Sequence, residues 1–238
     1  MPATRWTIIA RLQSRDDKLV RRALDELCAQ YHYPLYCYLR LRGLNHHDAE
    51  DALHDFLSKF LRLNSFQTAE EEKGRLRTYL LVSLQHFLSN WSRLQSRPQE
   101  VSIETLASLN EDQELYQKEY FTEEDSPDRI FDRKWAQELM SGVIQHLQEE
   151  YVAADKGELF EALRPVLLSG GSLRGVDSTA LARSLSMSTG ALRVAHSRLL
   201  KDYRSMLEAD VAQTVSDRES IAEEISYLKQ VFCKTARN

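Results

Sequence analysis

Residues 179–198 read TALARSLSMSTGALRVAHSR, a short helical run, a tight turn and a longer helical run in succession. Ala182 is small enough to let two helices approach closely. Leu181, Leu185, Leu192, Ala195 and Leu199 can share one core, and Ser188 is placed to cap the second helix. The stretch reads as a helix-turn-helix. In that geometry Ser188, Thr189, Gly190, Arg193, His196 and Ser197 point toward a major groove, with Arg198, Lys201 and Arg204 near phosphates. An αα-hairpin with solvated arginines has the same spacing, so the flanking chain bears on the choice.

Upstream, helical periodicity predicts elements at about 130–149 and 156–168, then the pair at 178–185 and 188–211, with Gly170, Gly171 and Gly175 as punctuation. Downstream, 219–234 puts Ile221, Ile225, Leu228 and Phe232 on one stripe. A helix this short is marginal in water, so the stripe is expected to pack on the second domain or on a partner.

The first hundred residues show three more helical patterns. One covers 19–42 (Leu24, Leu27, Tyr31, Leu35, Tyr38, Leu39), bends or breaks at Pro34 and ends at Gly43. The second covers 48–63, with cap chemistry from Asn45 and Asp48 and an apolar face of Ala49, Ala52, Leu53, Phe56, Leu57, Phe60 and Leu63. The third covers 75–97, turns Leu76, Leu80, Leu81, Leu84, Phe87 and Leu88 inward and stops at Pro98. Between Gln99 and Asp128 periodicity fades and acids dominate, which reads as a linker. The expected organisation is all-α: a helical domain over 1–98, an acidic linker over 99–128, a helix-turn-helix domain over 129–215 and an amphipathic helical extension over 216–238.

Composition agrees. Eight glycines and five prolines in 238 residues, with 42% hydrophobic and 28% charged side chains, fit a helix-rich chain with room for two cores. No apolar run is long enough for a membrane span and the N-terminus lacks a signal-peptide pattern, so a cytoplasmic location without a membrane partner is expected. Cys28, Cys37 and Cys233 are odd in number and lack CxxC spacing, which argues against a disulfide framework or a zinc knuckle. A formal net charge of −5 disfavours coating of nucleic acid by bulk electrostatics, so any DNA contact has to be local.

Two further segments carry candidate chemistry. From Arg75 to Arg97 stand Arg75, Arg77, Arg93 and Arg97 without one acid, interleaved with Tyr79, His86, Asn90 and Trp91. Arginines that hold a backbone, beside aromatic faces and amides that receive unstacked bases, suit a melted single strand. A basic surface helix on which Trp91 merely packs is the plainer alternative. The run DAEDALHDFL at 48–57 aligns Asp48, Asp51 and Asp55 on one helix face, which also suits the helix dipole. His47, Asp51 and His54 have metal-compatible spacing, but HExxH, P-loop and nucleophile signatures are absent. No catalytic residue, metal or cofactor is therefore expected, and the chain is not read as an enzyme.

In this order and at this separation, the three segments resemble the extracytoplasmic-function group of the sigma-70 family, over nearly the whole chain. Residues 48–60 resemble the sigma-2 segment that docks on the polymerase β′ clamp helices, which implies Asp48, Glu50, Asp51 and Asp55 as polymerase-binding residues. The run GRLRTYLL at 74–81, through Arg97, resembles the promoter-melting segment for the −10 element. That likeness implies Arg75, Arg77, Tyr79, His86, Asn90, Trp91, Arg93 and Arg97 as its DNA contacts. Leu181 through Arg204 resembles the sigma-4 helix-turn-helix that reads the −35 element, through the nine residues named above. More narrowly, LCAQYHYPLY (27–36), KGR (73–75), SPDRIFDRKWA (126–136) and VAQTV (211–215) resemble a planctomycete-type subgroup, which also carries an acidic C-terminal helix like 219–232.

The resemblance implies a subunit of core RNA polymerase, contacting the β′ clamp helices and the β flap, that directs promoter recognition, melting and initiation. Duplex and melted promoter DNA would be its partners, and an anti-sigma factor or another recruiting protein a further class of partner. The chain departs from the pattern in places. Tyr79 and His86 stand where the wider group has Trp and Asn, and Pro98-Gln99-Glu100 replaces a basic Gly-rich loop. Leu200, Asp202 and Glu208 stand where the subgroup usually has arginine, which implies weak −35 binding by the helix-turn-helix domain alone. The reading from another class is a helix-turn-helix regulator that binds duplex DNA without polymerase. It leaves the acidic face at 48–55 without a role.

Overall fold

The computed structural model describes residues 7–12, 14–62, 74–91, 105–119, 121, 126–215, 217 and 219–235. Among them are ten helices and no strand, so the protein is all-α. The helices are α1 (Thr7–Leu12), α2 (Asp17–Leu41), α3 (His46–Arg62), α4 (Leu76–Trp91), α5 (Thr105–Lys118), α6 (Pro127–Ala153), α7 (Gly157–Leu168), α8 (Ser178–Ser184), α9 (Thr189–Ala212) and α10 (Glu219–Thr235). The chain divides into two compact units, Met1–Leu139 with Val211–Asn238, and Met140–Asp210.

In the first unit α2 packs against α1, α3 and α5, and α3 against α4. Pro34 lies inside α2 without ending it, so the helix does not break there. Pro34 sits in a fully buried stretch with Tyr31, Leu35, Tyr38 and Leu39. Each such side chain gains about 1.5–3 kcal/mol on burial, which together outweighs the backbone bond a proline forfeits. Gly43, at φ +95°, lets the chain turn out of α2, and the Asn45 side chain then accepts a hydrogen bond from the Asp48 N–H at 2.9 Å to start α3.

Three expectations about organisation change here. First, the segment expected to be a linker carries α5, which is anchored on α2. The Tyr116 ring meets Tyr36 edge-on at 6.0 Å, Arg40 lies 4.6 Å over Tyr116, and His32 Nδ1 is 2.9 Å from Asp112. Second, Ile130, Phe131, Trp135, Ala136 and Leu139, expected with the helix-turn-helix, are core residues that fall in the first unit. Third, α10 packs within this unit, on Arg75, Arg77 and Asp132. Val211, Thr214, Val215, Glu224 and Leu228 are all buried, the Leu76 N–H donates to the Thr214 carbonyl at 2.9 Å, and Arg75 pairs with Val215 as an isolated bridge. Of the expected stripe, the Phe232 side chain lies outside the described residues.

The second unit is built on one apolar cluster: Ile144, Leu147 and Tyr151 from α6, Phe160, Leu163 and Leu167 from α7, Ala182 from α8, and Leu192 and Leu199 from α9. Two local devices fix the α8–α9 pair. Asp177 caps α8 by accepting from the Thr179 and Ala180 N–H groups at 3.0 and 2.9 Å. Ser186 then takes the left-handed conformation at φ +52°, which lets the Met187 N–H return to the Ala182 carbonyl at 3.0 Å. Gly171 sits at φ +71°, where any other residue is strained, and an added Cβ would lie 2.9 Å from Leu200 Cδ2 and push that side-chain end aside.

Candidate nucleic-acid interface

In the second unit the Ser188 hydroxyl accepts from the Ala191 N–H at 3.1 Å, so Ser188 caps α9. Beyond it Thr189, Gly190, Arg193, Ser197, Arg198, Lys201 and Arg204 are all exposed. At 100° per residue, Gly190, Arg193, Ser197, Lys201 and Arg204 fall on one side of α9. Val194 sits among them, 53% exposed, and was not anticipated from the sequence. Its signal was an apolar residue out of phase with the inward stripe.

His196 does not join that face. It is half-buried, with Nε2 enclosed and without a hydrogen-bond partner, because it lies four residues from both Leu192 and Leu200 on the inward stripe. Leu200 packs against the cluster too, partly buried beside Gly171. Asp202 accepts from the Tyr151 hydroxyl at 3.0 Å. Burial, and then Asp202 itself, push that hydroxyl up to about 12. Glu208 is exposed.

In the first unit the candidate residues separate. Arg77 is 5% exposed and its guanidinium is engaged on every side. Nε donates to Glu224 at 2.6 Å, Nη1 donates to Asp132, and the rings of Tyr227 and Trp135 lie 4.4 and 5.1 Å from Cζ. Burial works against its charge, but the hydrogen bond to Glu224 and the charges of Asp132 and Glu224 outweigh it and hold the guanidinium protonated. As folded, Arg77 offers no face to a nucleic-acid strand. Arg75 is partly exposed, with Nε 2.7 Å from Glu224. Tyr79 is half-buried, its ring 5.9 Å from that of Phe60. His86 and Asn90 are exposed, and Asn90 donates to the His86 carbonyl at 3.2 Å. Trp91 is half-buried and donates through Nε1 to Asp55 at 3.1 Å. Arg93 and Arg97 lie outside the described residues.

The acidic face of α3 is narrower than its sequence suggests. Asp51 is exposed and Asp48 partly so, accepting from the Asn45 amide at 2.8 Å, while Asp55 is held by Trp91. Glu50 is only 7% exposed and its Oε1 finds no hydrogen-bond partner, so it is not on a docking surface. Burial pushes its carboxyl up to about 7; His32 opposes this, and Asp112 and Asp51 add to it.

Among the described residues no three His, Cys, Asp or Glu side chains gather as a metal site, and no helix is long and apolar enough to cross a membrane. Comparison with known proteins finds no family model, no curated protein and no solved structure that matches this chain.

Proposed function

We propose that this chain is a sigma factor of the extracytoplasmic-function type, a non-catalytic subunit that directs core RNA polymerase to promoters. The observation that carries the reading is the α8–α9 pair. A capped, seven-residue helix and a long helix share one core and leave Gly190, Arg193, Ser197, Lys201 and Arg204 together on the outer side of α9. That side fits a major groove, with arginine and lysine on phosphates and Val194 able to meet a thymine methyl. His86, Asn90 and Trp91 on α4, with Arg75 at its start, support a role in holding a melted −10 strand. Asp51, with Asp48 beside it, is the part of the acidic face that supports docking on polymerase.

A second reading has a specific observation in its favour. Glu50 is buried and Asp55 is used internally, which thins the acidic face and suits a helix-turn-helix regulator that never touches polymerase. Both readings are tested by mixing the full chain with core polymerase on a sizing column, followed by run-off transcription from a promoter pool. Co-migration and initiation support the sigma reading; duplex binding without co-migration supports the regulator.

A further inference from the structure

Glu224 is fully buried, and its carboxylate spans two arginines, with Oε2 2.7 Å from Arg75 Nε and Oε1 2.6 Å from Arg77 Nε. Glu223 adds an exposed outer rung, 3.7 Å from Arg75 Nη2. The helix that carries them is held besides by Tyr227, whose hydroxyl donates to Asp132 and whose ring lies under both guanidinium groups. α4 has no acid of its own, so α10 and Asp132 supply the countercharge for its Arg77 and for Arg75 just before it. Guanidinium groups bind carboxylates and phosphates with the same forked, charge-assisted geometry, so one can replace the other.

We propose that α10 is an internal stand-in for nucleic-acid phosphates, occupying Arg75 and Arg77 in the free chain, so that a single strand reaches this site only by displacing the helix. The proposal rests on reading 75–91 as a strand-binding helix. Withdrawing α10 with nothing in its place would break the pairs of Glu224 with Arg75 and Arg77 and uncover the buried side of Leu228, which is unfavourable. The helix therefore does not leave on its own; an incoming anion has to take its place. α10 has only 17 residues and is marginal as an isolated helix, so once displaced it loses its order. The consequence is a threshold: weak or non-specific strands fail to open the site, and a strand held elsewhere on α4 succeeds.

The test uses the full chain and a fluorescent single-stranded DNA of about twenty nucleotides, longer than one such groove covers. By anisotropy, Glu224→Gln, which keeps size and removes charge, is expected to bind about tenfold more tightly than the wild type, a shift of one decade in Kd. Adding Arg75→Gln should abolish that gain. In the wild type, amide hydrogen exchange over 219–235 should accelerate when the oligonucleotide binds. Equal affinity of folded wild type and Glu224→Gln, or unchanged protection of 219–235 in the bound wild type, overturns the proposal. The exchange measurement decides alone if Glu224→Gln does not fold. Failure of both proteins to bind the oligonucleotide also overturns it, and co-migration with core polymerase then tells whether the sigma reading has failed as well.

Discussion

Glu50→Gln is expected to stabilise the first unit by about 3 kcal/mol at pH 8 and to leave it nearly unchanged at pH 4.5. Glu50 lies enclosed between α3 and the His32–Asp112 pair, and its carboxyl holds its proton up to about 7 instead of the ordinary 4.5. At about 1.36 kcal/mol for each pH unit of that gap, keeping it ionised in the fold costs about 3 kcal/mol. An unfolded chain releases this proton near 4.5 while the folded chain keeps it to about 7, so stability falls as pH rises between the two and is flat above. His32 acts in the same direction. Burial opposes its charge, but the hydrogen bond to Asp112, with the charges of Asp112 and Glu50, raises its value above 6.5. The stability it contributes is complete below 6.5 and fades as pH climbs through the raised value. Trp6, Trp91 and Trp135 all precede Met140, so urea unfolding followed by tryptophan fluorescence reads this unit and not the other. Wild-type stability that rises from pH 5 to 8, or a glutamine variant less stable than the wild type at pH 8, would refute the reasoning. Glutamine should also leave retention on core polymerase unchanged, because the side chain it replaces is buried.

Four further outcomes are expected. Leu200→Arg should destabilise the second unit by about 1–3 kcal/mol, because it forces a charge against the core and Gly171, whereas Glu208→Arg should stay within about 0.5 kcal/mol; thermal circular dichroism compares them, and equal tolerance would put Leu200 at the surface. Ser186→Gly should stabilise the same unit by about 1 kcal/mol, since glycine takes its left-handed conformation without strain, and a loss of stability in the same melt would mean the turn is built otherwise. Asp51→Arg should weaken co-migration with core polymerase without changing the melting curve, and unchanged co-migration would remove α3 from the docking surface. Trp91→Ala should impair initiation on duplex promoters and be rescued by a template already melted at −10; absence of rescue would make Trp91 a packing residue held by Asp55.

The α8–α9 pair was legible because what builds it is local: Ala182, Ser188, Leu192 and Leu199 lie within one short stretch. The residues whose placement differed share a single cause. Arg77 is in helical phase with Leu80, Leu81 and Leu84; Glu50 with Leu53, Leu57 and Phe60; His196 with Leu192, Leu199 and Leu200. In each case the phase pointed inward while the residue type pointed outward, and the phase prevailed because a partner was waiting inside or the ring could be enclosed. For Arg77 that partner, Glu224, is 147 positions away, and no periodicity can announce such a pair. α5 escaped notice for a different reason: acids surround its anchors, and the contacts that hold it, Asp112 and Tyr116 on α2, are too few to register as a stripe.

The return of Val211–Asn238 to the first unit has a consequence for how the chain emerges from the ribosome. Everything the second unit needs for its core has been synthesised by Asp210, whereas the first unit still lacks Val211, Val215, Glu224 and Leu228. At about 5–20 residues per second, the interval from Asp210 to Leu228 lasts roughly one to four seconds. Through that interval Arg77 has no Glu224 to neutralise it, and the surface of α4 that α10 will cover stays open to solvent or to a chaperone. The unit that begins first is thus the last to close, the reverse of the usual order for a chain with two folding units.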